Sequence, residues 1–363
     1  MRLSVSSSLS FEQGLTPLMP QTVHDVDDNL LAAIDYCYDQ GWTDGLPVIP
    51  PEHSRVEAML AMEGRPPETV ICTHEATGLS CSLQLAAVNA VMAGCLPEYF
   101  PVVVAAVEAM AKDKFTFHGS AASTGGSAPL LIVAGPVVDE IGMNAGVNLF
   151  GPGNRANATI GRTIRLILLN VFKMTPGIAD KSTQGNPGKY SFCIAERADV
   201  NPWPGLNEEL GYGPDISCVV TFAGAGFCNV ENHGANTAEG ILLSVADSMA
   251  NLGCITFGQS VVVLSPEHVN IIAEQGWSKA DTQTFLFEHA KRDVESMKEV
   301  SKYLEKHHAP QERNDVHRGY GPDDILITVG GGDAGGHSAF IPSWSRGRAS
   351  IMQHQAIGVC VDC

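Results

Sequence analysis

The sequence predicts an α/β or mixed α+β fold in which a central mixed sheet is flanked by helices. The first observation is a set of short apolar runs between Gly and Pro, of which Pro129–Ala134 (PLLIVA) is the clearest. Such runs are typical of strands covered on both faces. The second is that helix-like stretches alternate with these runs. With 363 residues, 44% of them hydrophobic, the chain is long enough for a large core.

The beginning of the chain differs in composition from the rest. The first residues are rich in Ser and include Pro17 and Pro20. We expect residues 1–22 to form a flexible leader, because such a segment has little to bury. Residues 23–363 are expected to form a single globular domain, with a sub-boundary near 175–190.

Helices dominate the predicted N-terminal third. Apolar spacing predicts an amphipathic helix over Asp28–Asp39 and a second over Glu52–Met62, after Pro51. Thr77–Met110 predicts two Ala-rich helices that are buried because they are apolar almost all round. Gly94–Pro97 interrupts these two helices.

Strands and helices are predicted to alternate in the remainder of the chain. The further strands are Tyr190–Ala195, Cys218–Phe222, Ser260–Leu264 and Ile325–Val329. The helices are Ala156–Phe172, Thr237–Leu252, Pro266–Gln275 and Lys279–His307. The mixed charges of Lys291–His308 predict an exposed helix with ion pairs at its surface.

Charge and cysteine usage exclude several classes of partner. Lys and Arg number 22 against 40 Asp and Glu, and the net charge of −18 repels nucleic acids and anionic lipids. No apolar stretch reaches the roughly 18–20 residues of a membrane span. The ten cysteines are irregularly spaced, unlike a secreted disulfide framework. We therefore expect a cytoplasmic protein with a small-molecule substrate, and neither a nucleic acid nor a membrane as partner.

Three glycine-rich loops beside predicted strands or helices are the candidate sites. In the first, residues 117–127, Ser123 and Thr124 can donate hydrogen bonds to an anion or carbonyl, and His118 can transfer protons. Alternatively, the hydroxyls satisfy the backbone of their own loop. The second loop, residues 144–162, leads into a helix whose N-terminus attracts anions. Its candidate substrate-binding residues are Asn148, Asn154, Arg155, Asn157 and Arg162.

The second loop has an alternative interpretation as well. It matches neither a Walker A motif nor G-x-G-x-x-G, so no nucleotide is indicated. Arg162 and Arg165 can instead form internal ion pairs with the excess of acidic residues.

In the third loop, residues 330–338, Asp333 and His337 are candidate proton-transfer groups and Ser338 a candidate substrate ligand. Asp333, His337 and Ser338 resemble a catalytic triad in composition only, since G-x-S-x-G is absent.

Glu196 is a further candidate general base, because it follows a predicted strand and precedes a rigid Asn-Pro-Trp-Pro-Gly turn. Lys189 or Arg197 would hold it ionised. No nicotinamide, flavin or nucleotide motif is present, so the cofactor is left open. A metal site built from His74, Glu75, His118 and His233 is conceivable, although H-E-x-x-H is absent and no metal ligand is assigned.

Five stretches of the chain resemble the UGSC family of (seleno)proteins. They are GWTDGLPVIPPEHSRVEAML (41–60), EATGLSCSLQLAAVNAVMAGCLPEYFPVVVAAVEAM (75–110), GPGNRANATIGRTIRLILLNV (151–171), GNPGKYSFCIAERADVNPW (185–203) and SPEHVNIIAEQGWSKADTQTFLFEHAKR (265–292). The resemblance implies thiol or selenol chemistry. The Gly-Ser-Cys signature of the family is absent from this sequence, so no catalytic residue is carried over.

Together these observations predict an enzyme that acts on a small polar or anionic metabolite. We expect lyase or hydrolase chemistry by general acid and base groups, in one site on which the three loops converge. One alternative is thiol-redox or thiolate chemistry through Cys360 and Cys363, a C-x-x-C pair, or through Cys72 and Cys81. Another is a non-catalytic binding protein that forms homo-oligomers through the Ala-rich helices at 78–110.

Overall fold

The computed structural model describes residues 2–6, 21–25, 29–302 and 314–358, and it confirms the mixed α/β class. The strands are β1 Arg2–Ser6, β2 Gln21–Asp25, β3 Val70–His74, β4 Leu79–Ser82, β5 Ala128–Ala134, β6 Cys193–Ala195, β7 Cys218–Gly224, β8 Cys228–Glu231, β9 Ser260–Leu264, β10 Lys291–Asp293, β11 Asp315–His317, β12 Ile325–Val329, β13 His337–Pro342 and β14 Gln353–Ala356. The α-helices are α1 Leu30–Asp39, α2 His53–Leu60, α3 Leu83–Ala93, α4 Phe100–Met110, α5 Phe117–Ala121, α6 Val137–Glu140, α7 Arg155–Asn170, α8 Leu206–Glu209, α9 Ala238–Met249, α10 Pro266–Glu274, α11 Lys279–His289 and α12 Val294–Glu299.

Two four-stranded mixed sheets form the centre of the described chain. The first has the order β14-β7-β5-β6, in which β5 pairs antiparallel with β7 along its whole length and parallel with β6. The second has the order β12-β9-β13-β8, in which β9 pairs parallel with β12 and antiparallel with β13. The predicted central mixed sheet is present as two four-stranded sheets, between which the apolar runs are divided.

The two sheets pack face to face, and helices cover their outer faces. Alternate residues of β5 divide between two cores: Leu130 and Ile132 pack with Val263 of β9 between the sheets. Leu131 and Val133 pack with the helical layer that contains α3, α4 and α7. On the other side, β9 and β12 pack against α9, α10 and α11. The layers therefore run helix, sheet, sheet, helix, and both faces of the central strands are buried, which explains their continuous apolar runs.

Backbone hydrogen bonds join the two sheets at their edges. Gly224, the last residue of β7, forms an isolated bridge with Ser343. Next to it, the Ala225 N–H donates to the Pro342 carbonyl at 2.8 Å. The Arg197 N–H, just beyond β6, donates to the Val329 carbonyl at the end of β12, also at 2.8 Å. These bonds fix where the loops that follow β6 and β12 meet.

The Ala-rich helices are buried inside this one chain. Ten of the eleven residues of α3 are buried. Ser82 caps its first turn by accepting from the Leu85 N–H, and Gly94 ends it at a φ of 96°, which favours glycine. The apolar faces of these helices are covered by the chain's own sheet and helices, and association between subunits stays a prediction.

Other departures from the predicted elements are local. Strand β1, within the predicted flexible leader of residues 1–22, pairs antiparallel with β2, which begins at the end of that leader. The predicted helix Lys279–His307 ends at His289, where β10 begins and pairs with β11. The hairpin of β3 and β4 replaces the start of the predicted helix at Thr77. Within the described ranges, no helix combines the length and apolar character needed to cross a bilayer.

The core between the sheets should carry much of the stability. Leu130 is fully buried there, whereas Leu243 on α9 is 48% exposed. We expect Leu130→Ala to lower the free energy of unfolding by roughly 2–5 kcal/mol, because it removes contacts and leaves a cavity. Leu243→Ala is the matched control and should change stability much less. Urea denaturation measures both variants, and equal losses would contradict the two-sheet core.

Candidate functional site

A cavity of about 480 Å³ opens beside the middle of α7. Its wall comes from Arg165 on α7, from Asp44, and from residues of the segment 176–190, which runs between α7 and β6. The volume is within the usual range for small-molecule sites. The chain therefore has room for a small ligand next to a set of buried charges.

Three of these charges form a close group, which we call the Arg165 cluster: Arg165, Asp180 and Lys189. The Lys189 ammonium donates to Asp180 Oδ2 at 2.5 Å, and one guanidinium nitrogen of Arg165 lies 3.6 Å from the same oxygen. The side chains of Arg165 and Lys189 are only 12% and 16% exposed. Ser182 joins the cluster, since its hydroxyl donates to Asp180 Oδ1 at 2.7 Å and accepts from Lys189 at 2.6 Å.

The cluster keeps Asp180 ionised. Burial by itself would raise the pKa of the Asp180 carboxyl, but the hydrogen bonds from Lys189 and Ser182 outweigh it and hold the pKa below its ordinary value. Burial lowers the pKa of Arg165, and Asp180 opposes that shift. The adjoining Asp44 is neutralised separately, because Arg162 binds both of its carboxylate oxygens, at 2.9 and 2.8 Å.

The Arg165 cluster also lines a second, more enclosed pocket, with about 20 Å³ of free space. That is enough for one water molecule or a similarly small group. Ser127 lines this inner pocket and Asn186 lines the outer cavity. The Ser127 hydroxyl and the Asn186 amide nitrogen are buried and have no hydrogen-bond partner among the described residues. Buried polar groups without partners are uncommon, and at a cavity they suggest a ligand.

Close backbone packing positions the segment 176–190. The Thr183 N–H donates to the Thr124 carbonyl at 2.9 Å, and the Ser182 hydroxyl oxygen lies 3.0 Å from the Gly125 carbonyl oxygen. A Cβ at Gly126 would overlap the Gly185 carbonyl oxygen. The first glycine-rich loop therefore supports this segment and fixes its position. Its Ser123 hydroxyl accepts from the Gly125 N–H and the Trp344 indole N–H, as expected for a loop that satisfies its own polar groups.

The predicted substrate ligands of the second loop have structural roles. Asn154 caps α7 by accepting from the Asn157 N–H. The Asn157 side chain accepts from the Asn144 N–H and donates to the Asn144 carbonyl. Arg155 donates to the Gly94 carbonyl, and the Asn148 amide donates to the Pro152 carbonyl. Arg162 forms the internal ion pair with Asp44 that the sequence allowed as an alternative. None of these five side chains is among those that line the two described pockets.

The third loop does not form a triad. Asp333 pairs with Arg197, His337 contacts the Asn229 amide, and Ser338 contacts His268. The Ser338 hydroxyl lies 2.7 Å from His268 Nδ1, while His268 Nε2 donates to the Asn232 carbonyl at 3.0 Å. Both of these side chains are buried, so the pair belongs to the core. The triad interpretation fails because the three side chains point to different partners.

Glu196 is likewise a structural residue. It is 2% exposed, and its carboxylate accepts from the Leu206 N–H at 2.7 Å and from the Thr328 hydroxyl at 3.1 Å. It thereby ties β12 to the turn before α8. Burial raises the pKa of Glu196. Neither predicted cation pairs with it, because Lys189 binds Asp180 and Arg197 binds Asp199 and Asp333.

His118 is exposed and contacts a second histidine. Its Nδ1 lies 3.1 Å from Nε2 of the buried His74, and His74 Nδ1 contacts the Thr77 hydroxyl at 2.7 Å. His233 instead lies against the ring of His337 and near Glu231. Among the described residues, no three His, Cys, Asp or Glu side chains are arranged to hold a metal ion. The conceivable group of His74, Glu75, His118 and His233 is therefore not assembled.

The predicted pair Cys72 and Cys81 does not support thiolate chemistry. Cys72 and Cys81 lie opposite each other in the β3–β4 hairpin and are buried. Burial raises the pKa of Cys72 to about 12 and also raises that of Cys81. A reactive cysteine needs a lowered pKa, so this pair is not a nucleophile. Cys360 and Cys363 lie outside the described residues.

The three glycine-rich loops do not share one site. The Gly331 N–H donates to the Ala145 carbonyl at 2.9 Å, so the second and third loops meet each other. The first loop instead packs on the segment 176–190 at the cavity. Sequence reasoning missed Asp180 and Ser182, and it assigned Lys189 to Glu196. The available signal was the scarcity of cations: Arg165, Lys181 and Lys189 lie near one another in a chain with only 22 Lys and Arg.

Comparison of the chain with family models, curated proteins and solved structures finds no match. The resemblance to the UGSC family therefore stays a prediction. The chemistry of the site is therefore inferred from the cavity and from the Arg165 cluster in its wall.

The contact between Gly126 and Gly185 gives a test of how the site is positioned. Gly126→Ala should displace the segment 176–190, because the new methyl group overlaps the Gly185 carbonyl. We expect faster limited proteolysis within this segment and a lower melting temperature. Gly226→Ala is the control, since a Cβ there meets no described atom within 4 Å. The same proteolysis rate for both variants would contradict this positioning.

The burial of His268 leads us to expect a loss of stability in mild acid. Burial lowers the pKa of His268, so the unfolded chain takes up a proton more readily than the folded one. The stability that neutral His268 contributes is present above a pH of about 6.5 and is lost as the pH falls below it. Urea denaturation between pH 7.5 and 5 should show this fall. His268→Gln should reduce the slope, and a slope equal to that of the wild type would contradict this prediction.

Proposed function

We propose that this chain is an enzyme that binds a small anionic metabolite at the Arg165 cluster and acts on it by proton transfer, as a lyase or hydrolase does. The observation that carries the proposal is the state of Arg165. It is a largely buried cation in a cavity wall, and among the described residues Asp180, at 3.6 Å, is the one carboxylate within ion-pair distance, with no closer hydrogen-bond acceptor. Buried guanidinium groups are normally fully hydrogen-bonded, and an anionic ligand would complete this one.

Local charge supports an anion over a cation. The cluster holds two cations and one carboxylate, and the neighbouring Asp44 is neutralised by Arg162. The cavity therefore carries one positive charge in a chain whose net charge is −18. A positive site in a negative molecule attracts an anion only at short range, which favours a ligand held by direct contacts.

The same cluster contains groups for proton transfer. Asp180 is ionised and able to accept a proton, and the Lys189 ammonium is able to donate one. Ser182 bridges them, because its hydroxyl contacts both groups. An adjacent base and acid are what elimination, hydration and hydrolysis need. This arrangement replaces the candidates that the sequence suggested, His118, Glu196, Asp333 and His337.

Two further assignments belong to this proposal. Cytoplasmic location is supported by the irregular cysteines, each of which is a free thiol where it is described. Membership of the UGSC family is supported by the five stretches of sequence quoted above. The second of these stretches contains α3 and α4, and the third contains all of α7, the helix that carries Arg165.

The test is anion binding by wild type and two arginine variants. We expect at least one small carboxylate or phosphate in a panel to raise the melting temperature of the wild type. Arg165→Gln should weaken that binding roughly 10- to 100-fold, the usual effect of losing hydrogen bonds to a charged group. Arg155→Gln is the matched control on the exposed face of the same helix, and it should bind as the wild type does.

Turnover is tested on the ligand that the panel identifies. Incubation with wild type should give a product detectable by NMR spectroscopy, and Asp180→Asn, which preserves the shape of the side chain, should abolish the product. Equal binding by the Arg165→Gln and Arg155→Gln variants would overturn the proposed site. Unchanged turnover by Asp180→Asn would overturn its acid–base role.

A further inference from the structure

The cavity also restricts the chemical class of its ligand. The buried polar groups there that lack a hydrogen-bond partner in the protein are mainly hydrogen-bond donors. The Asn186 amide nitrogen has no partner, and its carbonyl oxygen already accepts from the Gly188 N–H at 2.9 Å. Lys189 has three N–H groups, of which two bind Asp180 and Ser182. With the guanidinium of Arg165, these groups present N–H donors to the ligand, which must therefore supply acceptors.

The charge of the cluster sets the charge of that ligand. Arg165 and Lys189 share Asp180, and the nearby Asp44, which also acts on Arg165, is balanced by its ion pair with Arg162, so one positive charge is left over. A singly charged anion brings the site to neutrality. A phosphate dianion or a dicarboxylate leaves an uncompensated negative charge beside the ionised Asp180 in a low-dielectric wall, which is costly.

Shape favours a carboxylate among singly charged anions. The guanidinium group presents parallel N–H donors that match the two oxygens of a carboxylate. The Ser127 hydroxyl lies in the inner pocket, where about 20 Å³ is free. This space admits one small polar or methyl group, or a water molecule, but is too small for a second carboxylate or a phosphate.

We infer that the ligand of the Arg165 cluster is a small monocarboxylate, bound through its carboxylate by Arg165 with donors from Lys189 and Asn186. The inference rests on the proposed function and names its substrate class. It also assigns a specificity role to Asp180: by cancelling one of two positive charges, this carboxylate excludes dianions. Asp180 thus both takes part in proton transfer and sets the charge that the site accepts.

The test compares ligands of similar size and different charge on the full chain. Propionate is the monoanion, malonate the dianion, inorganic phosphate the tetrahedral anion and propionamide the neutral isostere. Titration calorimetry at pH 7.5 should show that propionate binds the wild type at least ten-fold more tightly than malonate or phosphate, and that propionamide does not bind. Asp180→Asn leaves two positive charges and should reverse the order of propionate and malonate.

The outcomes separate the two proposals. If malonate or phosphate binds the wild type more tightly than propionate, and Arg165→Gln abolishes that binding, the monocarboxylate inference is wrong and the anion site stands. If no anion binds in a manner that depends on Arg165, the proposed function itself is wrong. The order of affinities on the wild type decides the inference even where Asp180→Asn fails to fold, and the circular dichroism spectrum of that variant detects such a failure.

Discussion

The apolar layer between the two sheets is the constraint on which the other features depend. Leu130, Ile132, Val263 and Ile341 lie in this layer, and each strand that contributes to it must also bury its opposite face under helices. Strands buried on both faces leave little surface for charged side chains, so most charged groups lie at strand ends and in the segments between elements. The loop after β6, the loop after β12 and the segment 176–190 are all such places. The position of the candidate site therefore follows from the packing of the sheets.

Much of the fold could be predicted from the sequence, and the part that could not has a physical reason. The runs that became β5, β9 and β12 are almost entirely apolar, and such a run has few alternatives to a buried strand. The second sheet was missed because β8 and β13 contain polar residues such as Asn229 and His337, whose partners come from distant parts of the chain. Likewise, β3 and β4 are short, and Thr73 and Ser80 pair across the hairpin, a contact that local propensity does not reveal.

The candidate site was harder to predict than the fold. A polar residue beside a glycine-rich loop has the same sequence signature whether it binds a ligand or caps a helix, and Asn154 and Asn157 prove to be capping and bracing residues. Arg162 and Arg165 are three residues apart on one helix. The guanidinium of Arg162 is hydrogen-bonded to Asp44, whereas that of Arg165 has only an ion pair at 3.6 Å with Asp180. That difference depends on where Asp44 and Asp180 are placed by chain segments that are remote in sequence. Unsatisfied hydrogen-bonding capacity is a property of the folded molecule, and it was the observation that identified the site.

The outer edge of the first sheet has a consequence for how the chain is made. Strand β14 completes this sheet by pairing with β7, and Thr221 and its neighbour Gln353 are 132 residues apart. On a ribosome that adds about 5–20 residues per second, the edge of β7 remains unpaired for on the order of ten seconds before β14 is synthesised. During that interval a seven-residue apolar strand presents unpaired backbone groups, the kind of surface that aggregates. Nascent chains of this protein should therefore depend on protection by chaperones until the region of β14 has left the exit tunnel.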